Sequence, residues 1–176
     1  MTRFAPVLHV LGLVLLIFSF TLLAPVAMAF FGHDAATHAF DESFLLAFGS
    51  GAILWLVGRR WRRELKVRDG FLLVILVWTV LPAFAAAPFL IHNPAMSFTD
   101  AYFETMSGLS TTGATVMAGL DTLPRSLNLW RHLLNWLGGM GIIVLAVAIL
   151  PLLGIGGRQL LKAELPGPIK DSKLTP

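Results

Sequence analysis

Four long apolar stretches alternate with shorter polar segments along the chain. They cover Val7 to Phe31, Ser43 to Gly58, Gly70 to Ile91 and Leu127 to Gly154. Because the apolar residues run continuously instead of alternating with polar ones, the pattern favours helices over strands. Crossing a hydrocarbon layer of about 30 Å takes ~20 helical residues, so three stretches are long enough and the second needs its flanks. The pattern predicts four membrane-crossing helices.

A shorter helix is predicted between the third and fourth stretches. Pro94 disfavours helix at Asn93, which ends the third stretch. Ser97 is followed three residues later by Asp100, as in a capping box. A helix from there to Gly108 has about 12 residues and a length of ~18 Å, which is too short to cross the bilayer. We therefore expect a re-entrant half-helix that enters the membrane and turns back.

The segment after this half-helix suits a cation. Residues Leu109 to Val116 are small, uncharged and rich in hydroxyls, and Gly113 can adopt backbone angles that other residues resist. The half-helix leaves its last carbonyls unsatisfied and directs the negative end of its dipole toward this segment. Irregular backbone at membrane depth is tolerated only where it is buried in protein or lines a water-filled cavity. The segment is therefore predicted to be a carbonyl-lined strip that binds cations.

Composition and charge agree with a membrane protein. The chain is 56% hydrophobic and 13% charged, with a mean hydropathy of +0.78 and no cysteine. The absence of cysteine excludes disulfides and thiol chemistry. The net charge of +3 gives no reason to expect a nucleic-acid partner, because the position of the charges matters more than their sum.

Basic residues concentrate in two connecting segments and at the N-terminus. Together they hold eleven of the 13 basic residues: Arg3, then Arg59, Arg60, Arg62, Arg63, Lys66 and Arg68, and finally Arg158, Lys162, Lys170 and Lys173. The opposite segments carry acids: Asp34, Asp41, Glu42, Asp100, Glu104 and Asp121. Positive residues favour the cytoplasmic side, so both termini are predicted to be cytoplasmic.

Two features of the spans have alternative readings. The first stretch resembles a secretory signal, with Arg3 ahead of it and a small-residue cleavage site at Ala27 to Ala29. Its apolar run is longer than the ~15 residues usual for a signal, which favours a helix that is retained in the mature protein. The tryptophans suit either interfacial anchoring or packing between helices. They are Trp55, Trp61, Trp78, Trp130 and Trp136.

Single polar and small residues are given structural roles. Asp100 and Glu104 are expected to share a face of the half-helix near the outer mouth. There the helix dipole would stabilise both acids, and they would attract cations rather than act as catalysts. Gly138, Gly139 and Gly141 are expected to allow close helix packing. The histidines, which are His9, His33, His38, His92 and His132, show no metal-ligand spacing within one helix.

The segment Phe103 to Thr115, with the sequence FETMSGLSTTGAT, resembles the first pore loop of the Trk/Ktr/HKT superfamily of potassium transporters, closest to its TrkH branch. Similarity extends over the chain, including Trp136 to Gly141 and Ala163 to Pro168. The resemblance implies an all-α membrane fold. Two leading helices and a basic loop (1–68) would precede the first of four helix–pore-loop–helix repeats (69–157, filter 110–115), followed by a linker (158–176).

The resemblance also implies the ion ligands. Main-chain oxygens of Thr111, Thr112, Gly113 and Ala114 would bind potassium, with Thr111 and Thr112 as the metal-binding pair. Ala114 and Thr115 stand where potassium channels have a Tyr and a second Gly, so the aromatic collar is missing and looser selectivity is expected.

The implied function is potassium uptake across the bacterial inner membrane, without enzymatic activity and with no cofactor except the transported ion; coupling to another ion stays open. Implied partners are membrane lipid, the remaining repeats, a cytosolic nucleotide-binding protein of the TrkA kind, and a second copy in a homodimer. One loop cannot form a fourfold ring, so the chain is expected to be an N-terminal fragment. The alternatives are a homotetrameric cation channel of one-repeat subunits and a non-conducting structural membrane subunit.

Overall fold

The computed structural model describes residues 4–61 and 66–149, and every regular element in them is helical. The helices are α1 (Ala5–Thr21), α2 (Leu23–Gly32), α3 (Thr37–Gly58), α4 (Val67–Ala85), α5 (Ala87–His92), α6 (Phe98–Leu109) and α7 (Arg125–Ile149), with 3₁₀ turns at Arg59–Trp61 and Leu120–Thr122. The predicted all-α fold is confirmed. Residues 62–65 of the basic loop, the end of the fourth stretch and the linker 158–176 lie outside the described residues.

The predicted spans correspond to these helices with shifted ends. In the described part of the chain, three segments are long and apolar enough to cross a membrane: Ala5–Gly32, Thr37–Gly58 and Arg68–His92. The second begins six residues before the predicted start, so it does extend into its flank. Helix α7 follows the fourth predicted stretch as far as Ile149. The contacts discussed below lie within one compact unit of the chain, Met1–Gly141.

Two of the predicted spans are continuous in length but locally irregular near proline. The regular helix is interrupted at Leu22, three residues before Pro25, and at Ala86, between Pro82 and Pro88, and both junction residues keep right-handed helical backbone angles. Proline has no N–H to donate, and its ring conflicts with the carbonyl four residues earlier, so a helix kinks or ends there.

Helices α1 and α3 pack closely because both carry glycine at their contact. A Cβ added to Gly12 would lie 2.8 Å from the carbonyl oxygen of Gly51, so the two backbones leave no room for a side chain. At one end of this pair, Nδ1 of His9 lies 2.9 Å from the carbonyl oxygen of Trp55, and the two rings stack. Helix α1 also places Leu15 in the hydrophobic core. Helix α1 is therefore part of the packed core of the described residues.

The core beside α7 is centred on Trp130. Its indole is fully buried, lies against the rings of Phe18 and Phe40, and donates its N–H to the carbonyl of Ala85 at 3.0 Å. That carbonyl lies at the break between α4 and α5. Trp130 is therefore a packing residue, whereas Trp136 is 60% exposed on this chain.

Asp34, in the turn between α2 and α3, caps the start of α7 from a distance in sequence. Its Oδ2 accepts the backbone N–H of Ser126 at 2.9 Å, and its Oδ1 accepts that of Ala36 at 3.1 Å. Burial by itself raises the pKa of Asp34, but these N–H groups and the nearby His92 outweigh it, so the pKa lies below its ordinary value of 3.8. The α2–α3 turn and the start of α7 are thus joined on the same side of the fold.

Replacing Asp34 with Asn is expected to destabilise the chain at neutral pH by about 1 kcal/mol, because the amide accepts the helix N–H groups less strongly than a carboxylate does. A carboxylate with a lowered folded pKa stabilises the protein above its unfolded pKa and loses that contribution as pH falls through the folded pKa. The difference from wild type should therefore shrink below pH 3.8. Thermal unfolding in detergent at pH 7 and pH 3 measures it, with the exposed Asp41→Asn as control. An equal deficit at both pH values would contradict the charge-based cap.

Candidate ion-binding loop

Helix α6 begins with the predicted cap and has the predicted length. The hydroxyl oxygen of Ser97 accepts the N–H of Asp100 at 3.1 Å, and the hydroxyl donates to the carboxylate of Asp100 at 2.8 Å. The helix ends at Leu109 after 12 residues. The cap at Ser97 and the short helix are confirmed, although the second bond of a full capping box, from the Ser97 N–H to the Asp100 carboxylate, is replaced by the bond from the Ser97 hydroxyl.

The tip of α6 lies roughly midway along its two neighbouring helices. The hydroxyl of Thr105 donates to the carbonyl of Pro82 at 2.8 Å, and Gly108 lies against Leu134. Pro82 is ten residues before the end of α5, and Leu134 is nine residues after the start of α7. At 1.5 Å per residue these positions are about 15 Å and about 14 Å along helices that need about 30 Å to cross a bilayer. This depth is the geometry expected of a re-entrant helix.

The loop after α6 folds its N–H groups back onto the helix end. The N–H groups of Thr111 to Gly113 donate to the carbonyls of Ser107 and Gly108 at distances of 2.9 to 3.3 Å. The carbonyls of Ser107 and Gly108 are therefore occupied by the chain itself, which corrects the expectation that they would be left for a cation, whereas that of Leu109 accepts no hydrogen bond from the described residues.

The same hydrogen bonds turn the loop carbonyls outward. In a trans peptide the N–H and the C=O point in opposite directions. The carbonyls of Ser110, Thr111 and Thr112 belong to the peptides whose N–H groups face the helix, so these carbonyls point away from it. None of the three accepts a hydrogen bond from the described residues. The loop thus presents three consecutive carbonyls on one side.

Two residues of this loop adopt left-handed backbone angles. Gly113 has φ of 72°, as its flexibility had suggested, and a Cβ added there would meet nothing within 4 Å. The requirement for glycine is therefore conformational rather than steric. Thr111 has φ of 59°, which is unusual for a β-branched residue and costs about 1–3 kcal/mol. Such strain persists only where the surrounding hydrogen bonds enforce it.

The predicted ligand residues are brought together in one loop but are not equivalent. Thr111 and Thr112 present free carbonyls, whereas the carbonyl of Ala114 accepts the hydroxyl of Ser107 at 2.6 Å. Ser110 lies in the predicted filter 110–115 but was not among the four predicted ligands, and its carbonyl points outward with those of Thr111 and Thr112. All side chains from residue 111 to 116 are exposed on this chain. A single chain therefore leaves this face of the loop open.

Glu104 is buried in an ion pair, which differs from the expected role of attracting cations from solution. Its side chain is 3% exposed, and Nε and Nη2 of Arg131 both lie 2.8 Å from its Oε1. Its Oε2 accepts the N–H of Val116 at 3.2 Å, and the hydroxyl of Thr115 lies 2.9 Å from either oxygen. Asp100, one turn earlier, is the exposed capping residue. An acid inside α6 and an Arg inside α7, both away from the helix starts, were the signal that could have paired them.

Close packing of the predicted glycines is confirmed at Gly138 but not at Gly141. A Cβ on Gly138 would collide with the carbonyl of Leu109, the last residue of α6. Gly139 has only the Cγ2 of Thr111 near it, at 3.9 Å, and Gly141 meets nothing within 4 Å among the described residues. In the same residues, no group of three or more His, Asp or Glu side chains is placed to hold a metal ion.

Comparison with known proteins agrees with this architecture. Residues 36–176 match the family model TrkH, described as a cation transport protein. The chain is 53% identical over 175 residues to the Trk system potassium uptake protein TrkH of Vibrio parahaemolyticus and 49% identical over 175 residues to that of Escherichia coli strain K12, covering 99% of this chain and 36% of each relative. The crystal structure of the potassium transporter TrkH from Vibrio parahaemolyticus superposes with a TM-score of 0.81 at 50% identity, covering 92% of this chain and 36% of that one.

The chain thus spans about a third of the length of these relatives. With its membrane-length helices and re-entrant loop, it is a membrane protein that belongs to the TrkH family of cation transport proteins.

Proposed function

We propose that this chain contributes one pore loop to a potassium uptake pathway. The observation that carries the proposal is the direction of the loop peptides: three consecutive N–H groups bond back to α6, so three consecutive carbonyls point outward. Rings of such carbonyls replace the hydration shell of a potassium ion. The relatives named above are potassium uptake proteins, which supports potassium as the ion.

The proposed ligands are the main-chain oxygens of Thr111, Thr112, Gly113 and Ala114, with Ser110 added by the geometry. Each carbonyl oxygen has two lone pairs, so the hydrogen bond from Ser107 to Ala114 leaves one for an ion. No cofactor beyond the transported ion is needed for this chemistry.

The proposed assembly places residues 69–157 as the first of four repeats, after the leading helices in 1–68 and before a linker in 158–176. The 36% coverage of the relatives favours one repeat within a longer chain over four single-repeat subunits. The basic residues around Arg59 and beyond Gly157 support cytoplasmic termini in the bacterial inner membrane. A cytosolic TrkA-like regulatory protein and a homodimer of the full-length protein are proposed from the family resemblance alone.

Gly113→Ala is expected to lower potassium uptake about tenfold, because a Cβ in the left-handed region costs about 1–2 kcal/mol and shifts the carbonyls that flank it. The measurement is potassium-dependent growth and uptake in a strain without its own uptake systems. It compares the 176-residue chain, the chain joined to the remaining repeats, and the substituted forms of each.

Gly119→Ala is the matched control, since Gly119 lies in the same loop with φ of 70° but away from the carbonyl strip. We expect it to retain most of the uptake. Equal losses from the two substitutions would contradict a special role for Gly113. Rescue by the 176-residue chain alone would favour the homotetramer over the longer assembly.

A further inference from the structure

A buried ion pair joins three elements directly behind the candidate ion-binding loop. Glu104 belongs to α6, Arg131 belongs to α7, and Thr115 and Val116 belong to the segment that returns from the loop. The carboxylate of Glu104 receives the guanidinium of Arg131 at 2.8 Å, the hydroxyl of Thr115 at 2.9 Å and the N–H of Val116 at 3.2 Å. One side chain therefore holds the loop to both neighbouring helices.

The ion pair of Glu104 and Arg131 acts on the position of the loop rather than on its electrostatic potential. Glu104 is 3% exposed and Arg131 is 17% exposed at the side chain, so the ion pair itself is largely shielded from water, and its contacts are charge-assisted hydrogen bonds. The two opposite charges cancel near the loop. The pair therefore adds little net field to the carbonyl strip but fixes where its returning end lies.

The loop is fixed at both ends by groups outside it. At its start, the carbonyls of Ser107 and Gly108 hold the N–H groups of Thr111 to Gly113. At its end, Glu104 holds the two residues that follow Ala114. Discrimination between potassium and sodium depends on how carbonyls are spaced and how far they can move. A contact that holds the end of the strip acts on that property.

We propose that Glu104 and Arg131 are positioning residues that set the preference for potassium over sodium by holding Thr115 and Val116 behind the carbonyl strip. The proposal rests on the proposed function. It assigns the two side chains no direct contact with the ion.

The test is the ratio of potassium to sodium influx in proteoliposomes that contain the complete pore assembly with this chain. Glu104→Gln keeps the shape of the side chain but loses the charge on which three donors converge, and we expect the ratio to fall about tenfold. Thr115→Val removes only one hydroxyl donor and is expected to lower the ratio about threefold. Asp100→Asn is the matched control, since this acid lies one turn earlier on the same helix and is exposed, and its ratio should not change.

The outcomes separate the inference from the proposed function. A wild-type assembly that carries no potassium would overturn the proposed function, and the inference with it. A wild-type assembly that prefers potassium, together with unchanged ratios in Glu104→Gln and Thr115→Val, would overturn only the inference. A fall in total flux at a constant ratio would also overturn it, because a purely structural role predicts that result. If Glu104→Gln does not fold, the milder Thr115→Val decides.

Discussion

Gly138→Ala is expected to abolish potassium uptake by the complete pore assembly and to destabilise the chain by about 3 kcal/mol, near the upper end for an overpacked contact. The added methyl group would collide with the backbone carbonyl of Leu109. A flexible side chain could turn aside, but this carbonyl belongs to the last turn of α6, from which the ion-binding loop starts. Relief of the collision must therefore move either α7 or the loop itself.

Gly141→Ala is the matched control for this result. It lies three residues further along α7, and its added methyl group meets no atom within 4 Å in the described part of the chain. Potassium uptake and thermal unfolding in detergent should distinguish the two substitutions, with Gly141→Ala close to wild type. Similar uptake and similar unfolding temperatures would show that the Gly138 contact can relax without cost to the loop.

The local features of the site were predictable from the sequence because each is decided within a few residues. The cap formed by Ser97 and Asp100 needs only a spacing of three, and the left-handed backbone of Gly113 follows from the absence of a Cβ. The length of α6 follows from the cap at one end and the Ser, Thr and Gly residues at the other. The helical fold likewise follows from continuous apolar runs.

The irregular residues in the first and third spans show what an apolar pattern omits. Hydrophobicity measures whether a segment can lie in lipid, but it carries no signal for where the regular helix is interrupted. Pro25, Pro82 and Pro88 carried that signal. The carbonyl that Trp130 binds belongs to Ala85, next to the second irregular residue, so this position contributes to the core.

The contacts between distant residues were not predictable by the same reasoning. Glu104 and Arg131 are 27 residues apart, and Asp34 and Ser126 are 92 apart, so no local pattern relates them. The outward direction of the loop carbonyls depends on which carbonyl each N–H reaches, and that depends on the complete path of the turn. The strained backbone of Thr111 belongs to the same class, because threonine itself disfavours it.

Arg131→Met is expected to destabilise the chain by about 3–5 kcal/mol, because it leaves the carboxylate of Glu104 buried without its counter-charge. The remaining hydroxyl of Thr115 and N–H of Val116 cannot replace a cation. Glu104→Gln alone is expected to cost less, since the guanidinium of Arg131 is 17% exposed and retains access to water. The direction of this asymmetry follows from the burial of the two partners.

The double variant Glu104→Gln with Arg131→Met provides the decisive comparison. Replacing both partners of a buried ion pair by neutral groups of similar size is often close to neutral, so the double variant should recover most of the stability that Arg131→Met loses. Thermal unfolding of the wild type, both single variants and the double variant, in the same detergent, gives the coupling between the two residues.

A double variant no more stable than Arg131→Met would mean that the loss comes from the packing of the Arg131 stem. The double variant can also recover stability without recovering potassium selectivity. That result would show that charge compensation determines the stability of the fold, whereas the hydrogen bonds of Glu104 determine the position of the loop.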